Sequence, residues 1–134
     1  MNTVLPMIIL GVGLCGCATS PSAVTRQQAE EVHPVCSSRP QCDAMWAAAR
    51  DWARSSWCPH PIRIMNDSYI ETYESIGNEV GLACWVRTDP LPQGGYQFTA
   101  HARCANWFMC MPRAVDAVLA FNAKVTAAGA PPAP

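Results

Sequence analysis

"YQFTAHARC" (residues 96–104) and the loop that begins at its last cysteine, "CANWFMC" (104–110), decide how this chain folds. In the first stretch Tyr96, Phe98, Ala100, Ala102 and Cys104 fall on one side. Gln97, Thr99, His101 and Arg103 fall on the other. A period of two is the mark of a strand with one buried face. The second stretch opens and closes with cysteine, and Pro112 just after it suits the first turn of a helix. Val115, Val118, Leu119, Asn122 and Val125 then recur along that helix.

Upstream, "DPLPQGG" (89–95) is a turn by its proline and glycine content. "EVGLACWVRT" (79–88) is a second strand, with Val80, Leu82, Cys84 and Val86 on one face and Trp85 on the other. "IRIMNDSYIETYE" (62–74) reads as strand, with an interruption at Asn66-Asp67. "CDAMWAAARDWARSSW" (42–57) is the strongest helix signal. Asp43 is placed to cap it, Met45, Ala48, Ala49, Trp52 and Ala53 form an apolar stripe, and Pro59 and Pro61 end it. This order predicts an α+β fold. An antiparallel three- to four-stranded meander is flanked by an N-terminal and a C-terminal helix packed on one face. The polar face of the strands is left to solvent or a partner.

The 134 residues carry nine basic and ten acidic side chains, and Lys124 is the one lysine. With no basic block, binding of nucleic acid by charge is not expected. The long apolar run is "VLPMIILGVGL" (4–14). As helix it would span roughly 16 Å, about half of a ~30 Å bilayer core, which suits the hydrophobic part of a signal peptide better than a membrane span. It ends in Leu14-Cys15-Gly16-Cys17, which resembles the bacterial lipobox. That resemblance implies a signal peptide over 1–16, cleavage before Cys17 and acylation of Cys17. The first charged residue is Arg26, so the basic start usual for such a signal is missing. Ala18 follows the cysteine. An aspartate there would favour inner-membrane retention, so its absence points to the outer membrane. Residues 17–35 read as a flexible tether, 36–126 as the domain, and "AAGAPPAP" (127–134) as a disordered tail.

Of eight cysteines, the lipobox resemblance implies that Cys15 leaves with the signal and Cys17 takes the lipid. The remaining six, Cys36, Cys42, Cys58, Cys84, Cys104 and Cys110, allow 15 pairings. "CSSRPQC" (36–42) and "CANWFMC" (104–110) have equal spacing, and pairing within each would leave Cys58 for Cys84. In an exported protein such cysteines act as disulfide staples. The two short bridges would each clip a helix start, and the third would tie the end of the first helix to the second strand.

"CDAMWAAARDW", "YIETYES", "RCANWFMC" and "AVDAVLAFN" together resemble a family of small, uncharacterised Gram-negative cell-envelope lipoproteins. The resemblance covers roughly residues 36–126 and the signal. It implies an envelope location and this fold, and no activity. Met109 stands where the loop of that family would carry glycine, which bears on the loop's shape.

No convergent nucleophile, base and oxyanion set can be named, so no catalytic residue and no cofactor are expected. His33-x-x-Cys36, Cys58-Pro59-His60 and His101-x-x-Cys104 suggest a metal site only weakly, since no Cys-x-x-Cys occurs. Asp67, Glu71, Glu74 and Glu79 cluster in sequence, but Glu71 and Glu74 would point to opposite faces of a regular strand. The aromatics Trp85, Trp107 and Phe108 are candidates for a docking patch, the alternative being that Trp107 or Phe108 plugs the end of the core. The resulting expectation is a non-enzymatic, outer-membrane lipoprotein that faces the periplasm. Its role would be structural or protein-binding, its partners the membrane through the lipid anchor and a second envelope protein. A periplasmic metal- or small-ligand-binding protein is the alternative.

Overall fold

The computed structural model describes residues 26–29, 31–106 and 108–131. The expectations for residues 1–16, Cys17 and Trp107 lie outside the described residues. The chain order is β1 (Val35–Cys36), α1 (Arg39–Ala53), β2 (Ile62–Met65), β3 (Tyr69–Thr72), β4 (Leu82–Pro90), β5 (Tyr96–Cys104) and α2 (Ala114–Ala128). The strands make one antiparallel sheet in the order β1-β5-β4-β3-β2. Strands β2 to β5 are the expected meander, broken at Asn66-Asp67-Ser68, where the Asn66 side chain accepts the Ser68 and Tyr69 N–H groups, each at 2.9 Å. β1 was not foreseen, because two residues hold no periodicity.

One face of the sheet is covered. Ile70, Val86 and Ala100 stand in register across β3, β4 and β5, and with Leu82, Cys84 and Phe98 they are buried against both helices in a single core. The helices run antiparallel. Near the start of α1, Gln41 donates to the carbonyl of Gly129 just past the end of α2, at 3.0 Å. Near the end of α1, the Trp52 indole N–H donates to the carbonyl of Ala117 at 3.0 Å, and its ring meets Phe121 edge-on at 5.0 Å. Burial of such aromatic and aliphatic side chains, each contributing about 1.5–3 kcal/mol, is the main stabilising term.

Several details differ from the sequence reading. α1 starts at Arg39, and Ser38 is its cap, accepting the Gln41 N–H at 3.4 Å. Asp43 instead lies one turn inside and faces Arg39 in the exposed i,i+4 pair at 3.9 Å. The cap must be extended, and Ser38 is (φ −121°, ψ 153°). α2 begins after Pro112, at Ala114, where Arg113 holds the Asp116 carboxylate at 2.7 and 2.9 Å. Its buried residues are Ala117, Phe121, Asn122 and Val125, while Val115, Val118 and Leu119 are half-buried. Phe121 turns the helix, because it packs on Trp52. α2 also runs past residue 126, to Ala128. At the other end, residues 26–29 and 31 are helical and Ala29 is buried, within the stretch read as tether. Val80 lies outside β4 and is exposed, as is Tyr96 at the start of β5, since no helix covers either.

The six cysteines pair as Cys36–Cys42, Cys58–Cys84 and Cys104–Cys110. The first ties β1 to the first turn of α1. The second ties the turn after α1 to β4 near its start. The third closes the loop that leads from β5 towards α2.

Candidate functional site

Among the described residues, the two helices pack on one face of the sheet, and its outer face and one of its ends lie away from them. Across the outer face, Glu71, Trp85 and His101 stand in register on β3, β4 and β5, and Tyr69, Arg87 and Thr99 form the next row. Trp85 stacks on the His101 ring with centroids 4.0 Å apart, lies 6.4 Å from the Tyr69 ring, and has the Arg87 guanidinium 5.9 Å from its own centroid. The Tyr69 hydroxyl donates to Glu71 at 2.9 Å, and Arg63 donates to the other oxygen of the same carboxylate. Burial, then the hydrogen bond and charge of Glu71, raise the Tyr69 pKa above the ordinary tyrosine value. Burial of the ring, followed by the charges of Arg87 and His33, lowers the His101 pKa, so its imidazole is neutral at pH 7. The face is thus a self-satisfied lattice rather than a set of poised groups.

The end of the sheet is different. Two loops meet there, residues 73–81 between β3 and β4 and residues 105–113 after β5. The Asn106 amide donates to the carbonyl of Asn78 at 2.9 Å, and the Met111 N–H donates to the carbonyl of Val80 at 2.9 Å. The Asn106 side-chain oxygen also accepts the N–H groups of Phe108 and Met109, at 2.9 and 3.1 Å, which curls the second loop. The first loop is pinned at its base: His60 donates to the Ser75 hydroxyl at 3.0 Å, and that hydroxyl donates to the Gly81 carbonyl at 2.6 Å. The joined loops present Ile76, Phe108, Met109 and Met111 at 71, 79, 57 and 64 % exposure, with Val80 beside them. Large apolar side chains gathered on fixed loops make a surface that gains by being covered.

Of the three aromatics expected to form a patch, Trp85 lies on the outer face against His101 and Phe108 lies in the loop beyond Cys104. The sequence reading did not place Ile76, Val80, Met109 or Met111 at this end: it set Val80 on the inner face of the second strand and read Met109 only for the shape of its loop. The available signal was Ile76 and Val80 standing in an otherwise polar turn, "ESIGNEVG" (74–81).

The cysteines of the three Cys–His pairs are all bonded to other cysteines, so they offer no thiolate to a metal. Glu71 pairs with Arg63, Glu74 with Arg103, and Glu79 lies 3.8 Å from His60. Among the described residues no group of three or more His, Cys, Asp or Glu side chains is placed to hold a metal ion. Among those residues, too, no helix is long and apolar enough to cross a membrane. Comparison with known protein families, with curated proteins and with solved structures finds no match for this chain.

Proposed function

We propose that this protein is a membrane-anchored envelope lipoprotein whose apolar loop end docks on a second envelope protein. The single observation that carries the docking role is the exposure of Ile76, Val80, Phe108, Met109 and Met111 on two loops joined by the Met111 N–H on the Val80 carbonyl and the Asn106 side-chain amide on the Asn78 carbonyl. Anchoring rests on the short apolar run before Leu14-Cys15-Gly16-Cys17, and export is what three disulfides require. Lipid on Cys17 places the domain in the periplasm at the outer membrane, with no catalytic step of its own.

Intact-mass analysis of envelope-purified protein tests the anchor. The expected mass lacks residues 1–16, carries acyl groups, and shows no free thiol among the six domain cysteines. A chain that keeps residues 1–16, or a Cys17→Ser variant that still fractionates with membranes, overturns it. Crosslinking in intact envelopes tests docking. A partner captured by the wild type and lost in Phe108→Ser, Met109→Ser and Ile76→Ser supports the loop end as its seat. Capture unchanged in all three overturns it.

A further inference from the structure

Among the described residues, β5 is paired only at the start of its second side. β1 pairs with it only at Tyr96 and Gln97, and the Phe98 N–H donates to the Pro34 carbonyl at 2.8 Å. Backbone groups alternate sides along a strand, so the next groups that point away from β4 are those of Ala100 and Ala102. The opposite strand confirms the phase. Cys84, the partner of Ala102, donates instead to the Thr72 hydroxyl at 2.9 Å, on the β3 side. No described residue bonds the outward groups of Ala100 or Ala102.

A groove of about 830 Å³ runs along this edge. On the inner side α2 contributes the half-buried Val115 and Val118; on the outer side the sheet contributes Arg87 and His101, and the N-terminal helical stretch adds Arg26. No carboxylate is among the described residues that line it. Arg87 and Arg113 each hold an aspartate set outside the groove, Asp89 at 3.0 Å and Asp116 at 2.7 Å. Arg26 has no such partner among the described residues.

An added strand presents alternate side chains to the two sides of a sheet. Here one side is apolar and the other cationic. We propose that this groove binds an extended peptide segment of a partner protein as a further strand on β5, with small apolar side chains against α2 and acidic side chains against Arg26 and Arg87. A second copy of this chain fits poorly, because its own β5 would bring His101 and Arg103 towards the same cations and has no carboxylate from 97 to 104. The site is separate from the loop end and does not depend on the docking proposed there.

The test uses the mature chain, isotope-labelled, and a blocked hexapeptide of alternating glutamate and valine. Saturable downfield shifts of the Ala100 and Ala102 amides are expected. A peptide with lysine in place of glutamate should bind at least about tenfold more weakly. Ala102→Pro removes one outward N–H while the β4 ladder keeps its bonds, and should weaken binding about tenfold, as loss of one well-formed hydrogen bond does. Val118→Asp sets a carboxylate in the apolar wall and should do the same, which decides the matter where Ala102→Pro fails to fold. Absence of binding, shifts confined to other amides, or binding unchanged in the folded variants overturns the proposal. A dimer in sedimentation whose Ala100 and Ala102 amides change on dilution also overturns it, in favour of a second copy.

Discussion

The loops Cys36–Cys42 and Cys104–Cys110 have the same sequence separation, six, and opposite uses. In the first, Cys36 is in the core and all but Pro40 of the residues between the cysteines are polar: Ser38 caps α1, and Gln41 accepts the Ser37 N–H at 2.8 Å. In the second, both cysteines are half-buried, and Phe108 and Met109 between them stand in solvent. Chain entropy gives each bridge a similar value, about 2.4 kcal/mol, because it depends on loop length alone. What differs is the packing around the bridge. One bridge helps build the core, and the other holds apolar side chains away from it.

That contrast can be broken most forcefully at Gly95. Its φ is +81°, and a Cβ there would lie 1.9 Å from the carbonyl oxygen of Cys36. Gly95→Ala should therefore cost about 4 kcal/mol in urea unfolding, combining a left-handed backbone with a clash that only movement of the first loop relieves. A loss below about 1 kcal/mol would mean that the first loop is not clamped by the sheet.

The paired cysteine replacements come next. Cys36→Ser with Cys42→Ser should cost about 3–4 kcal/mol, since a hydroxyl in the buried Cys36 position adds to the lost cross-link. Cys104→Ser with Cys110→Ser should cost about 2 kcal/mol, and should abolish partner capture at the loop end. Equal losses from the two pairs, in parallel urea titrations, would erase the distinction.

Phe108→Ser should change stability by less than about 0.5 kcal/mol, because its side chain is largely in water. A melt that drops by several degrees would show that Phe108 plugs the core end after all. The smallest effect is expected at His101, three residues before the second loop. Its folded pKa lies below the ordinary 6.5, so the folded protein binds fewer protons there than the unfolded chain. The contribution of this residue is complete above about pH 6.5 and is lost as pH falls through the lower, folded value. Thermal melts from pH 7.5 down to pH 5 should fall more steeply in the wild type than in His101→Phe; parallel curves would contradict this.

Much of the fold was legible because burial leaves a period. Met45, Ala48, Ala49, Trp52 and Ala53 mark one side of a helix, and Leu82, Cys84, Val86, Phe98 and Ala100 mark one side of two strands. Those positions do not depend on knowing their partners. α2 was harder. Valine, leucine and alanine surround its axis, so apolarity alone could not choose between the stripe through Val118 and the one through Phe121. The choice fell to Phe121 because the edge of Trp52, distant in sequence, was there to receive it. β1 and the Ser38 cap were missed for a related reason: each is defined by a hydrogen bond, to β5 or to a neighbouring N–H, and not by a run of side chains.

The amino-acid sequence by itself determined the α+β order, the inner face of the sheet and the six cysteines left to pair, since periodicity and counting are local properties. Tertiary structure alone decided that Ile76 and Val80 join Phe108, Met109 and Met111 at one end, that Trp85 lies elsewhere on a stacked imidazole, and that β5 keeps a bare edge beside α2. These depend on which distant segments meet. A side chain's hydropathy says whether it prefers to be covered; only the packed chain says whether anything is left to cover it.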